Sequence, residues 1–530
     1  MRKETSSASF SKRPFIALGL ISIALLISIA PASAENMTTY LAPQYENIPF
    51  KPETAFLSIA PAADPASPGG NQMLKLDIAN EFEKLEASFP KAIKVSIFAG
   101  NGEAAKDVIP ALVRSPEMLD SMKLRMIARK IKYDLIVRSG NASYAEFYKQ
   151  YITAPLALLI GFNAGGPACF PESLYLTLQN GSYYFFNSFI AIDDVPAGQF
   201  MFSVEGAIKN DTFDLVIAHE NAHGIMGDMY GSQAASLKNS SVSTSGHDGP
   251  VVTDRILAFV EGWAEAFEAL YGPANPLLKL KEEDRKQYRV SEFLFTRQDP
   301  VRRDKYIWQT QEKNGMLKNG NQLISTEGVI AGQFYDLLTS KKLKEPFIKS
   351  VSVMFNRRPK DYIEFLKGWV KDYPEDKQTV YRIFLENTNY ATASNKARSL
   401  YCDYYQAKLK YVQKQMDEKA FYVIKNKWLA FKDDLFKTIM RDDSFDANIG
   451  PDLWMNFAAE NNFHLNLSTA PPRALAHFLK GVSPDDAAAI VKARESIGVF
   501  PYKTATEALV EILGAEKANK IIGESGLTNL

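Results

Sequence analysis

Histidine and cysteine are scarce in this chain, and neither sign of charge prevails. Its 530 residues include five histidines and two cysteines, and 61 basic side chains balance 61 acidic ones. This balance gives no reason to expect nucleic acid or an anionic membrane as the main partner. Cys169 and Cys402 are too few for a cysteine zinc cluster, which usually takes four cysteine or histidine ligands. Their spacing leaves open whether they form a disulfide or remain two buried thiols.

Long apolar runs are also missing, except for one at the N-terminus. A basic stretch (residues 2–13) precedes an uncharged run (residues 15–30) and the small-x-small sequence Ala32-Ser33-Ala34. This order is typical of a secretory signal peptide and predicts a secreted or periplasmic protein. The run is short for a membrane span, although an uncleaved anchor is the alternative. We therefore expect residues 1–34 to be a signal peptide and no membrane span after its removal.

Composition and hydrophobic periodicity divide the rest of the chain into three parts. Residues 35–71, rich in Pro, Ala and Ser, are expected to be a linker, residues 72–440 a main domain, and residues 455–530 a small separate unit. The periodicity predicts helices over 74–89, 104–113, 116–137 and 142–152, a strand over 93–98, a hairpin formed by 174–178 and 183–192, and mostly helix over 214–440.

One short motif carries recognisable chemistry. Residues 219–223 read His-Glu-Asn-Ala-His, an H-E-x-x-H pattern that follows an apolar run. On a helix, His219 and His223 lie one turn apart on the same face and can bind one Zn²⁺ through their imidazoles. Glu220 stands beside the first histidine, where a carboxylate can take a proton from water that attacks a carbonyl carbon. The motif predicts two metal ligands and a catalytic base.

A catalytic zinc site needs a third protein ligand. Position 229, where a metzincin would place a histidine, holds a methionine. Downstream, Glu261, Glu265 and Glu268 share one face of an otherwise apolar helix, and such a helix rarely buries three carboxylates without a cation. We expect Glu261 to be the third ligand, and the weaker candidates are Glu265, Asp228, Asp254 and His247.

Around residues 210–270 the chain resembles the gluzincins, the thermolysin-like and aminopeptidase N-like metallopeptidases. Their second zinc helix carries a glutamate followed by small and aromatic residues, and Val-Glu261-Gly-Trp-Ala264 looks similar. The 37 residues between His223 and Glu261 are more than in the best-known members, and the G-x-M-E-N segment of aminopeptidase N-like enzymes is absent from the sequence. The resemblance implies a peptide substrate along an edge strand, with 183–192 the candidate, and an oxyanion-stabilising side chain, with Tyr335 the candidate.

The C-terminal unit carries a second resemblance. Gly481-Val-Ser-Pro484, Ile490-Val-x-x-Arg494 and Gly498-Val-Phe500 look like the helix-hairpin-helix domain of competence-type DNA-uptake proteins. In DNA-binding versions a G-x-G hairpin binds phosphate, but Ser483 replaces the second glycine here. Residues 463–530 hold seven basic and seven acidic side chains, so the basic footprint of a DNA-binding domain is missing.

These patterns lead to one expectation and two alternatives. We expect an α+β, mainly helical, zincin-like domain followed by an all-α helix-hairpin-helix domain. The predicted activity is that of an exported zinc peptidase, with a peptide or protein substrate and a protein partner for the C-terminal domain. The alternatives are a non-catalytic interaction protein of the envelope or secretion system and an extracellular DNA-binding protein.

Overall fold

The fold is mainly helical, with one large and one small β-sheet. The computed structural model describes residues 50–63, 72–82, 92–99, 108, 111, 116–152, 156–160, 167–170, 174–178, 183–186, 189–193, 203–209, 213–231, 233–234, 237, 249–271, 306–308, 317–445, 453–457, 464–470, 472–496 and 502–529. The predicted signal peptide and His247 lie outside these residues.

The large sheet has eight strands in the order β5-β8-β4-β3-β2-β1-β6-β7. Strands β3, β4 and β8 run parallel to one another, and the other neighbouring pairs are antiparallel. The strands are β1 Phe50–Ala63, β2 Gln72–Phe82, β3 Ala92–Ala99, β4 Leu156–Ile160, β5 Ala168–Phe170, β6 Leu174–Leu178, β7 Tyr183–Phe186 and β8 Phe189–Ile192.

Helices follow the strands and build the main core. The first five are α1 Pro116–Arg138, α2 Ala142–Ile152, α3 Val204–Lys209, α4 Phe213–Tyr230 and α5 Arg255–Tyr271. The next seven are α6 Gly320–Leu323, α7 Glu327–Leu338, α8 Pro346–Arg357, α9 Tyr362–Asp372, α10 Lys377–Asn387, α11 Asn395–Val412 and α12 Glu418–Asp442. Helix α4 packs on α1, α5, β5 and β8, so it lies at the centre of this arrangement.

The C-terminal unit has its own hydrophobic core, which begins at Leu453 and ends at Leu527. Its helices are α13 Pro472–Phe478, α14 Pro484–Ser496, α15 Ala505–Leu513 and α16 Ala515–Ser525. Its strands β9 Trp454–Phe457, β10 His464–Asn466 and β11 Leu527–Asn529 form a sheet in the order β10-β9-β11. The expectation of an all-α unit is therefore wrong, because the chain on both sides of the helices pairs with β9.

Two predictions near the N-terminus are also wrong. The expected linker 35–71 contains strand β1, which pairs with both β2 and β6, so the sheet begins before residue 72. The expected helix over 74–89 contains strand β2 instead. Alternation of Leu74, Leu76 and Ile78 with polar neighbours is the period-two pattern of a strand, and it decides the structure here.

Most other predicted elements are confirmed. Helices α1 and α2, strand β3 and the β6–β7 hairpin lie where the sequence predicts them, and the described residues after Asp214 are mostly helical as far as α12. The predicted strand 183–192 is two strands, β7 and β8, which belong to different parts of the sheet. Of the predicted helix 104–113, only residues 108 and 111 are described, and both are helical.

Candidate metal centre

Helix α4 presents the two histidines of the H-E-x-x-H motif. All but three of its eighteen residues are buried, so this helix is enclosed on nearly every side. The backbone N–H of Leu215 donates to the Asp214 carboxylate at the start of the helix. After Tyr230 the helix ends at Gly231, whose φ of +61° lies in the left-handed region that glycine adopts without strain. His219 and His223 therefore lie one turn apart on a fixed, buried element.

Helix α5 brings Glu261 to the same place. The Trp263 indole N–H donates to the carbonyl of Ala222 at 2.9 Å, which fixes the two helices against each other beside the histidines. Helix α7 packs against α5 at Gly262. Any other residue there would place its Cβ 2.8 Å from Ile330 Cβ, which is too close. Glycine at this position therefore lets helix α7 approach closely, which explains the glycine that follows Glu261.

Three donor atoms converge between the two helices. His219 Nε2 and His223 Nε2 are 3.0 Å apart, and Glu261 Oε2 lies 3.3 Å from the first and 3.2 Å from the second. Zinc bonds of about 2.0 Å that meet at the tetrahedral angle place their donor atoms about 3.3 Å apart. The observed triangle therefore matches three corners of a tetrahedral zinc site, and nitrogen and carboxylate donors suit that ion. Among the described residues this is the one group of three or more such side chains that could hold a metal ion.

The three donor side chains are partly exposed to solvent. The exposed fraction of each of these three side chains is between 9% and 15%, so the donor atoms are close to solvent but not surrounded by it. A catalytic zinc site needs this partial access, because the fourth position must take water or substrate. Glu220, 3% exposed, is next to His219 in sequence on the same buried helix. Its carboxylate raises the pKa of His219 electrostatically, as expected for a nearby negative charge.

Glu268 orients the first histidine. Its Oε1 lies 2.5 Å from His219 Nδ1, and the Glu268 side chain is fully buried. A carboxylate on Nδ1 keeps the proton there and directs the Nε2 lone pair toward Glu261 and His223. The sequence analysis placed Glu268 on this face of the helix but gave it no role of its own.

The pKa values of His219 and Glu268 are both raised. Burial lowers the pKa of His219, but hydrogen bonds to Glu261 and Glu268 raise it well above its usual value. Burial raises the pKa of Glu268, with the His219 interaction opposing it. Both shifts favour the protonated forms, so a cation that bound at His219 would displace a proton from this pair.

The other candidate ligands lie elsewhere. Asp254 accepts hydrogen bonds from the backbone N–H groups of Ile256 and Leu257 and so caps helix α5. Glu265 is 1% exposed on α5 and is not part of the three-residue group. Tyr335 lies half-buried on α7, and its predicted role at the oxyanion stays a prediction.

Asp228 has a structural role on the same helix as the histidines. Its carboxylate accepts hydrogen bonds from Arg125 Nε at 2.9 Å and Arg129 Nε at 2.7 Å, and its backbone carbonyl accepts one from Lys132. The two arginines lower the pKa of Asp228 to about 2, although burial alone would raise it. A Cβ at Gly224 would lie 2.3 Å from Arg125 Cζ, so the glycine makes room for that guanidinium group. Helix α1 thus holds α4 by a buried ionic clamp.

The predicted peptide-binding strand is at the wrong edge of the sheet. Strand β7 is indeed an edge strand, but β5 is the edge on the side of β8, and helix α4 packs on β5 and β8. Six strands separate β7 from β5, and neighbouring strands lie about 4.8 Å apart, so β7 is distant from the metal centre. The error came from taking 183–192 as one strand.

The two cysteines are both free, so the disulfide that the sequence left open is not formed. Cys169 is buried on β5, and Cys402 is half-buried on α11.

The turn between α13 and α14 is closed by a reciprocal contact between Ser483 and Asp486. Gly481 has a φ of +82°, and the Ser483 backbone N–H donates to Asp486 Oδ2 at 2.8 Å. Asp486 also pairs with Lys517 at 2.7 Å, and this contact together with Ser483 lowers the pKa of Asp486 to about 2. The Ser483 N–H group therefore already has an anionic partner within the chain.

No family model, curated protein or solved structure matches this chain. Among the described helices, none combines the length and the apolar character that crossing a bilayer requires. The geometry of the site is thus the basis for a function.

Proposed function

We propose that this chain is an exported zinc-dependent hydrolase that cleaves amide bonds in peptides or proteins. The observation that carries the proposal is the triangle of His219 Nε2, His223 Nε2 and Glu261 Oε2, with sides of 3.0–3.3 Å. Zn²⁺ held there would polarise a substrate carbonyl and acidify water. We further propose that the fold is zincin-like, followed by a helix-hairpin-helix unit.

In this proposal the protein side chains have separate roles in proton transfer and in positioning the metal ligands. Glu220 accepts the proton of the attacking water and returns it to the leaving amine. Glu268 holds His219 in the ring orientation that the ligand role requires. The Trp263–Ala222 hydrogen bond joins the two ligand-bearing helices, α4 and α5, and the Arg125–Asp228 ion pair holds α4 against α1. Tyr335 remains our candidate for stabilising the oxyanion.

Turnover is tested with a mixture of unstructured peptides, whose cleavage is followed by mass spectrometry. The Glu220→Gln variant keeps all three donor atoms and removes the base. We expect it to retain zinc and to lose activity by about 10²–10⁴-fold, the usual contribution of a general base. Cleavage by the variant at the wild-type rate would show that Glu220 is not the base and that the activity comes from elsewhere.

For the C-terminal unit we propose contact with protein rather than DNA. Asp486 occupies the N–H group of Ser483, and the unit carries as many acidic as basic side chains. Duplex affinity that falls steeply with salt and is increased by Asp486→Asn would instead support the DNA-binding alternative.

A further inference from the structure

The turn between helices α11 and α12 exposes apolar side chains to solvent. We call residues 408–427 the hairpin tip. Val412 is 70% exposed, Val423 65% and Tyr422 42%. Six large hydrophobic side chains are exposed among the described residues, and three of them belong to this tip. Single exposed apolar residues need no explanation, whereas a group of them at one turn is a candidate interaction surface.

The same tip carries an excess of positive charge. It contains six lysines and two acidic residues, whereas the whole chain is neutral. The acidic residues are adjacent, and one of them, Asp417, caps helix α12 by accepting the Ala420 N–H at 2.9 Å. Most of the lysines form no ion pair with any residue that the structure describes: Lys410, Lys414, Lys419, Lys425 and Lys427. Lys425 Nζ lies 5.1 Å from the centre of the Tyr422 ring, and the charges of the other four lysines are available to a partner.

Packing beneath the surface fixes the shape of the tip. The rings of Tyr411 and Phe421 stack with centroids 4.6 Å apart and an angle of 5° between their planes. Lys414 turns the chain with a φ of +59°, and α12 begins four residues later. Val412 follows Tyr411 in sequence, Tyr422 and Val423 follow Phe421, and all three side chains are exposed to solvent. The fold thus presents these residues on a preformed turn.

We propose that the hairpin tip docks on an anionic lipid surface. The lysines would lie at the level of the phosphate headgroups, while Val412 and Val423 enter the apolar boundary and Tyr422 lies at the interface. A second copy of the chain is disfavoured because two tips of the same positive charge repel each other. Nucleic acid is disfavoured because two of the three exposed apolar side chains are aliphatic and offer no ring for base stacking. The proposal does not depend on the metal centre.

Sedimentation with sucrose-loaded vesicles tests the proposal on the full chain. We expect binding to vesicles of equal parts phosphatidylcholine and phosphatidylglycerol, weaker binding to pure phosphatidylcholine, and loss of binding at high salt. Lys410→Glu with Lys414→Glu should lower the partition coefficient about tenfold or more. Val412→Ser with Val423→Ser should lower it about tenfold, because the apolar contribution is lost.

Matched controls separate the tip from the rest of the surface. Val137→Ser replaces a valine that is 49% exposed on α1, and Lys437→Gln removes an exposed lysine farther along α12. Both should bind the mixed vesicles as the wild type does. Absence of wild-type binding, equal binding to both vesicle types, or unchanged binding of the tip variants would overturn the proposal. Concentration-dependent self-association that the valine variant abolishes, without vesicle binding, would overturn it in favour of contact between copies.

Discussion

At the scale of single residues, the 2.5 Å contact between His219 Nδ1 and Glu268 Oε1 decides which ring nitrogen faces the other donors. Glu268→Gln keeps a hydrogen-bond acceptor but removes the charge that stabilises the ring orientation. We expect zinc affinity to fall about 10–100-fold, as is usual when such a partner of a metal-binding histidine is changed. Competition with a chelator of known affinity measures the change.

Glu265→Gln is the matched control for that experiment, since Glu265 lies on the same helix and outside the group of donor atoms. Its effect on zinc affinity should be clearly smaller. If both variants lost the same zinc affinity, the overall negative charge of the helix would explain the loss, and the contact between Glu268 and His219 would not.

Lys318 gives a prediction for the pH dependence of stability. It is 1% exposed and donates to the carbonyls of Pro250 and Tyr306 and to the hydroxyl of Thr326. Burial lowers its pKa from 10.5 to about 7. Below pH 7 the amine is charged in both states, so the folded state carries the cost of a buried charge. Above pH 7 the folded protein releases the proton first, and stability rises until the unfolded chain also releases it.

Comparison with Lys318→Met isolates this effect. The free energy of unfolding of the wild type, minus that of the variant, should rise between pH 7 and about pH 9 by up to ~1.4 kcal/mol per pH unit. Urea unfolding at several pH values measures the difference. A difference that stays flat or falls over this range would contradict the assignment of a lowered pKa to Lys318.

At the scale of elements, the buried clamp between α1 and α4 is sensitive to substitution of its carboxylate. Asp228→Asn leaves Arg125 and Arg129 buried without the carboxylate that both contact. Breaking a buried ion pair from one side typically costs about 3–5 kcal/mol, and we expect a loss of that order in the free energy of unfolding. The control, Asp434→Asn, removes an exposed partner of Lys437 and should cost less than about 0.5 kcal/mol. Similar losses of unfolding free energy in both variants would contradict a stabilising role for the clamp.

The sequence predicts elements well where one local pattern decides the structure. The Asn180-Gly181 turn predicts the β6–β7 hairpin, and His219 and His223 share a helix face because of their spacing alone. Strand β1 was missed because proline-rich composition resembles a linker, while its pairing with β2 and β6 is decided by residues far along the chain. The role of Glu268 was missed because the crossing of α4 and α5 determines which carboxylate meets His219.

At the scale of the whole molecule, a hydrogen bond and a shared tryptophan link the two hydrophobic cores. Asn319 Nδ2 donates to the Arg494 carbonyl at 3.3 Å, and Trp454 packs against both cores. Composition and charge locate the C-terminal unit, but neither reveals its three-stranded sheet, because β9 and β11 are separated by the whole helical part. The second unit is thus built by pairing of its two ends.

Zinc content of the purified chain, measured beside that of His223→Ala, tests the metal centre most directly. We expect about one zinc per wild-type chain and little in the variant, because two donor atoms cannot complete a tetrahedral site. His477→Ala, a change of another histidine on the C-terminal helix α13, should leave the zinc content unchanged. A wild-type chain without stoichiometric zinc after exposure to the metal, or a His223→Ala variant that still holds it, would contradict the proposed centre.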